Sequence, residues 1–237
     1  MKKVLGVLLF LCLLAATSLL LPACQEKGGN EEEALEGKLP TIQVGDQWIS
    51  SYVMGETTST LTEEITGEET VEGRDCYVTY MSFDPVMSST QDGVVYTNTG
   101  VKYWSDKATG LLGVKMETTT TYNGQVFTQS VTYSYNPWTP LFPLQVGKEV
   151  EMEKTTSTYH EGEQYGEPVV STEKYTVVSK EDATVTAGTY SCWKMTYYDS
   201  ALNTTQTMWW SDEVKTMVKS TDEDGKTIME LQSYSVR

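Results

Sequence analysis

Cys192-Trp193-Lys194-Met195-Thr196-Tyr197 is the stretch that decides the fold. Trp193, Met195 and Tyr197 alternate with Cys192, Lys194 and Thr196, the two-residue period of a strand with one face on a core and the other towards water. Working outward, segments 118–122, 126–135 and 175–178 are rich in β-branched and aromatic residues, the composition that fits a pleated surface. Asn123-Gly124 and Asp224-Gly225 stand between such runs and are strong hairpin signals, because both central positions of a tight primed turn require positive φ. Gly55, Gly100, Gly162 and Gly166 mark further turns. Nothing after residue 40 carries a helical apolar period; 34–39 is too short and too acidic. The expectation is an all-β protein.

The strands come in two sets. Gln43-Val44-Gly45-Asp46 returns as Gln145-Val146-Gly147-Lys148, and Cys76-Tyr77 as Cys192-Trp193. Tyr103-Trp104-Ser105-Asp106 returns as Trp209-Trp210-Ser211-Asp212, Val114-Lys115 as Val218-Lys219, and Tyr133-Ser134 as Tyr234-Ser235. Each match is weak alone, but they keep the same order at nearly constant offset, which points to a duplicated unit. The organisation expected is a β module over 39–138 and a second over 139–237. Together they would form a curved antiparallel sheet or open (half) barrel around one core, since a module of this size with few large aliphatics buries little alone. Three prolines in Asn136-Pro137-Trp138-Thr139-Pro140-Leu141-Phe142-Pro143 preclude regular pairing there and give an extended connector.

The N-terminus places the protein. Met1-Lys2-Lys3, an apolar run over 4–21 and Leu21-Pro22-Ala23-Cys24 make a secretory signal. The run is also just long enough to cross a bilayer as a retained helix. Its end resembles the lipobox of bacterial lipoproteins, usually Leu-x-(Ala/Gly)-Cys. The resemblance implies removal of 1–23, lipidation of Cys24 and an extracytoplasmic protein anchored by lipid to the cell membrane or cell surface. Segment 24–38, rich in Gly and Glu, would be a spacer with a reach of about 20 Å.

Composition excludes some partners. The chain of 237 residues has 17 basic and 33 acidic residues and a formal charge of −16; with 1–23 removed it is more acidic still. Nucleic acid is not expected, because its binding rests on neutralised phosphates. Of four cysteines, Cys12 lies in the signal and Cys24 in the anchor. Cys76 and Cys192 are left as repeat equivalents, either small buried apolar residues or a disulfide.

Phe142-Pro143-Leu144-Gln145-Val146-Gly147, Ala187-Gly188-Thr189-Tyr190-Ser191-Cys192, Trp209-Trp210-Ser211 and Met217-Val218-Lys219 resemble uncharacterised bacterial secreted β-proteins and lipoproteins, distantly similar to the periplasmic lipoprotein carriers. That resemblance implies a curved sheet cupping an apolar ligand, and it supplies no catalytic residues. It covers 141–237 well and 39–135 loosely. Val150 stands where the first half has Trp48, and the helices that plug the carrier sheet are not evident.

Catalytic chemistry finds little material. His160 is the only histidine, at a strand end entering a turn, and one His with two Cys cannot supply the usual zinc ligands. No metal and no cofactor is expected. Paired carboxylates could serve a hydrolase, but with 33 acids a chance pair is expected. Asp222-Glu223-Asp224-Gly225 lacks the calcium-loop spacing and reads as a turn. The duplicated Trp104 and Trp210 read as core anchors, with Tyr77, Tyr103, Trp193 and Trp209 as candidates to line a concave groove. The functional expectation is a non-enzymatic protein binding an apolar small molecule or lipid. The alternatives are a structural or interaction lipoprotein with a filled core that contacts an envelope protein, and a hydrolase.

Overall fold

A computed structural model describes residues 36–237 apart from 56, 87, 92, 93, 111 and 123. The signal, Cys24 and most of the 24–38 spacer lie outside the described residues. So does Asn123 of the first hairpin signal.

The first half contributes β1 (Gln47–Met54), β2 (Thr57–Val71), β3 (Arg74–Asp84), β4 (Ser88–Gln91), β5 (Val94–Asp106), β6 (Gly113–Tyr122) and β7 (Gln125–Asn136). The second contributes β8 (Glu149–His160), β9 (Glu163–Gln164), β10 (Val169–Val185), β11 (Gly188–Asp199), β12 (Thr204–Ser211), β13 (Thr216–Thr221) and β14 (Thr227–Ser235). Each strand pairs antiparallel with its neighbour in sequence, apart from β4, which pairs only with β5, and β9, which pairs only with β8. Tyr52↔Met229 and its neighbours then join β1 to β14, and β8 pairs with β10.

The sheet therefore closes. Twelve strands, six from each half, form an up-and-down antiparallel barrel, which corrects the expected curved sheet or open half-barrel. The physical reason is the edge: unpaired N–H and C=O groups on β1 and β14 satisfy one another only when the ring is complete. No local pattern announces this pair, because its strands stand at opposite ends of the described chain. Among the described residues, the closed ring of twelve strands and four core clusters are built within 36–237.

Matched sequences occupy matched places. Gly45 N–H donates to Ile65 O and Ile65 N–H to Asp46 O, while Gly147 N–H donates to Val177 O and Val177 N–H to Lys148 O. Bulges follow immediately, between Ile65 and Gly67 and between Val177 and Ser179. Gly45 (φ 90°) and Gly147 (φ 86°) sit in the left-handed region that the turn requires and that glycine adopts without a Cβ penalty. Gly100, expected in a turn, instead lies inside β5 beside a bulge. A Cβ there would stand 2.5 Å from the Tyr80 hydroxyl, so the position is bare because the tyrosine crosses it.

Alternate connections of an antiparallel ring lie at alternate ends. The 137–148 connector therefore shares an end with the entry to β1, the β10–β11 turn and the C-terminal tail. That end is sealed by side chains. Leu141, Phe142 and Leu144 of the connector join Leu112, Trp193, Met195 and Trp210 in one cluster. Trp48 and Ile65 join Tyr190, Cys192, Val214 and Leu231 in a second. Towards the other end, Tyr52, Leu61, Phe83, Val101, Met116, Val131 and Met229 form a third.

Candidate functional site

Between these clusters lies a group of charges and phenols. Lys154 Nζ stands 2.5 Å from Glu173 Oε1 and 2.6 Å from Asp199 Oδ2. Tyr197 donates its hydroxyl to Glu173 Oε1 at 2.6 Å and Tyr175 to Oε2 at 3.2 Å. Asp199 Oδ1 accepts the Ala201 N–H at 2.7 Å. Register places Glu173 opposite both Asp199 and Met152, and Lys154 opposite both Ser171 and Tyr135, so all project from one face of the sheet.

That face is the inner one. Tyr103, on β5, feels the charges of both Glu63 on β2 and Glu173 on β10, and β2 and β10 stand half the ring apart. Side chains from opposite walls interact this way only across the interior. Tyr135 and Tyr175 belong to the same group: Tyr135 feels Glu173, Tyr103 and Tyr175, and Tyr175 feels Glu173 and Tyr103. Burial, reinforced by Glu173, lifts the Tyr103, Tyr135, Tyr175 and Tyr197 phenols well above the ordinary tyrosine value, so they stay neutral donors. Burial works to lower Lys154, and the charges and hydrogen bonds of Glu173 and Asp199 outweigh it, leaving the ammonium above the usual lysine value.

Glu63, Tyr103, Tyr135 and Tyr175 are deep enough for burial to displace their titration, yet each keeps accessible surface. The walls are adaptable: Met81, Met116, Met152, Met195, Met208, Met217 and Met229, seven of ten methionines, lie in or against the clusters inside the barrel. Unbranched thioethers refill irregular gaps at low cost.

Burial alone raises the Glu63 carboxyl from 4.5 to about 7. A group that binds its proton more tightly folded than unfolded makes stability fall as pH rises between those two values, and leaves it level above them. At pH 8 Glu63→Gln is therefore expected to stabilise the fold, by up to about 3 kcal/mol, and at pH 4 to change it little. Urea unfolding at the two pH values reads this; an equal effect at both would rule out the displaced titration.

The four aromatics singled out in the sequence are dispersed. Tyr103 lies inside the barrel, held across Gly113, where a Cβ would stand 2.2 Å from its hydroxyl. Tyr77, half-buried, packs against the Trp48 cluster with Lys107 Nζ 5.0 Å from its ring centre. Trp193 is 1% exposed, donates to Asp212 Oδ2 at 3.0 Å and carries Lys180 at 4.4 Å. Trp209 stands on the opposite face of its strand from Met208. It donates to Glu181 Oε1 at 2.9 Å, between Lys194 and Lys219.

Trp104 has the same setting as Trp209: its indole donates to Glu69 Oε2 at 2.8 Å, between Lys102 and Lys115. The indole N–H lowers the titration of Glu69 and of Glu181 alike. Trp104 thus corresponds in environment to Trp209, one residue off the sequence match with Trp210. A register shift follows each of the two, after Trp104 and after Trp209. Trp104 and Trp210 are both buried.

Cys76 and Cys192 are free, buried thiols, and burial pushes the Cys192 thiol up to about 11. His160 pairs with Gln129 and Glu163 at the end of β8, its ring 6.1 Å from Phe127. Residues 222–226 form a turn in which Lys226 N–H donates to Asp222 Oδ1 at 2.8 Å. Among the described residues no group of three or more His, Cys, Asp or Glu is placed to hold a metal ion.

Sequence reasoning passed over Glu63, Lys154, Glu173 and Asp199. Each does carry a signal. Leu61, Glu63 and Ile65 share a face, as do Met152 and Lys154, and Glu173, Tyr175 and Val177. A charge at the middle or end of an apolar period-two series marks an inward position.

No protein-family model matches the chain, and no curated protein matches it in sequence. Among solved structures it is similar to a protein from Bacteroides fragilis inferred to be exported and described as having a YmcC-like fold. The two share 12% identity at a TM-score of 0.43, over 85% of this chain and 100% of that one.

Proposed function

We propose that this chain is a lipid-anchored, extracytoplasmic, non-enzymatic protein whose barrel interior binds an apolar ligand or lipid chain. The observation that carries the reading is the set of enclosed side chains that keep accessible surface inside a closed ring walled by methionines. The Glu173–Asp199 pair supports a non-enzymatic role, because Lys154 and two tyrosine hydroxyls already occupy the oxygens an acid–base pair would need free. The lipobox-like Leu21-Pro22-Ala23-Cys24 supports the anchor. The equivalent turns and bulges support descent of the two halves from one duplicated unit.

Residues 36–237, purified gently and examined by native mass spectrometry followed by organic extraction, test the binding reading. An apolar adduct released on extraction is expected. It should disappear in Met217→Trp, which fills the centre of the barrel where Met217 touches two core clusters. A clean apo mass, with Met217→Trp unfolding the protein by overpacking, would instead favour a structural or interaction lipoprotein with a filled core.

A further inference from the structure

Among the described residues, deep carboxylates are held, with one exception. Asp46 meets Lys215 Nζ and the N–H groups of Gln43 and Arg237. Asp106 meets Arg74 and the Trp138 indole. Glu173 and Asp199 share Lys154. Glu63 differs: burial is the sole cause of its displaced titration, with neither hydrogen bond nor opposite charge contributing. In register it stands between Trp48 and Met81, and Tyr103 faces it from β5.

An ionised carboxylate in such a setting is costly without a partner, and the surface Glu63 retains lets a partner reach it. A second unmatched group lies along the same inner face. Ser171 Oγ, on a residue 5% exposed and opposite Lys154 in register, has no hydrogen-bond partner. The charge balance inside is negative, with Glu63, Glu173 and Asp199 against Lys154. The Tyr103 ring faces Glu63, with Tyr135 and Tyr175 beyond it near Glu173, and ring faces attract cations, more so where water is excluded.

We propose that the ligand is an aliphatic amine. Its ammonium sits against Glu63 beside the Tyr103 ring, and its chain runs along the methionines. This rests on the reading that the barrel interior takes an apolar ligand, and narrows it to a cationic head.

Octylammonium, 1-octanol and octanoate carry one tail and three heads. Titrated into residues 36–237 at pH 8 and followed by calorimetry, octylammonium is expected to bind with one equivalent. It should bind at least about tenfold tighter than octanol, a ratio that corresponds to a single favourable charged contact, and octanoate should bind weakest. Glu63→Gln alters one acid of 33 and should cancel the advantage of octylammonium while leaving octanol binding intact. A surface acid changed in the same way, Glu64→Gln, should cancel nothing, which separates the site from general attraction to an acidic protein. Equal binding of octylammonium and octanol would overturn the amine proposal and leave the apolar cavity standing. No binding of any of the three would overturn both.

Discussion

Lys154→Met is expected to cost about 3–5 kcal/mol of stability, the usual consequence of stripping one partner from a buried ion pair. The Lys154 side chain is largely enclosed, while Glu173 and Asp199 are 3% and 2% exposed. Removing the ammonium leaves two carboxylates facing each other in register with only hydroxyl and amide donors to share. Chemical denaturation at pH 7 should show the midpoint fall sharply. The triple replacement Lys154→Met, Glu173→Leu, Asp199→Leu should restore most of the stability, since well-packed apolar groups often match a buried ion cluster. A Lys154→Met loss below about 1 kcal/mol, the range of an exposed pair, would mean that the triad is open to bulk water.

Trp193→Ala is expected to be comparably damaging, at about 3–5 kcal/mol for a large buried aromatic. The ring is the hub of the sealed end: it lies in the cluster with Leu141, Phe142, Leu144 and Trp210. Gly37 packs directly on it, where a Cβ would stand 2.5 Å from the indole nitrogen, and Gly37 and Leu144 exchange both backbone hydrogen bonds. The substitution should therefore do two things at once. The melting temperature should drop, and the segment around Gly37 should become cleavable by protease before the barrel unfolds. Trp209→Ala is the comparison. Its ring is half-buried, packed on the edge of the Trp48 cluster beneath two lysines, so a smaller loss, about 1 kcal/mol, is expected. Equal losses at the two positions would contradict the assignment of Trp193 to the core and Trp209 to the outer face.

The sequence made some of this legible and left the rest hidden for identifiable reasons. Strand identity could be read from 192–197 because one face of β11 carries Trp193, Met195 and Tyr197 against a core. Turn positions were legible at Asp224-Gly225 because a left-handed φ has few substitutes for glycine. Closure was hidden because β1 and β14 meet through backbone groups, which every residue carries alike. The bulges after Trp104 and Trp209 were hidden for the same reason, and with them the match in setting between those two residues. The inner acids were hardest. Glu63 and Glu64 are adjacent and chemically identical, and only the pleat sends one inward and leaves the other exposed.

Both ends of the described chain come out on one side of the barrel. Gly37 is clamped to Leu144 there, and the Arg237 N–H is tied to Asp46 while its carbonyl accepts Lys215. Whatever surface holds residue 36 close also holds Arg237 close. Under the proposed lipid anchor, a reporter fused after Arg237 would be crowded into the gap between barrel and membrane. The 222–226 hairpin points the opposite way, so a peptide grafted there would be carried clear of the surface. For display or labelling, the useful handle on this molecule is an internal turn rather than its tail.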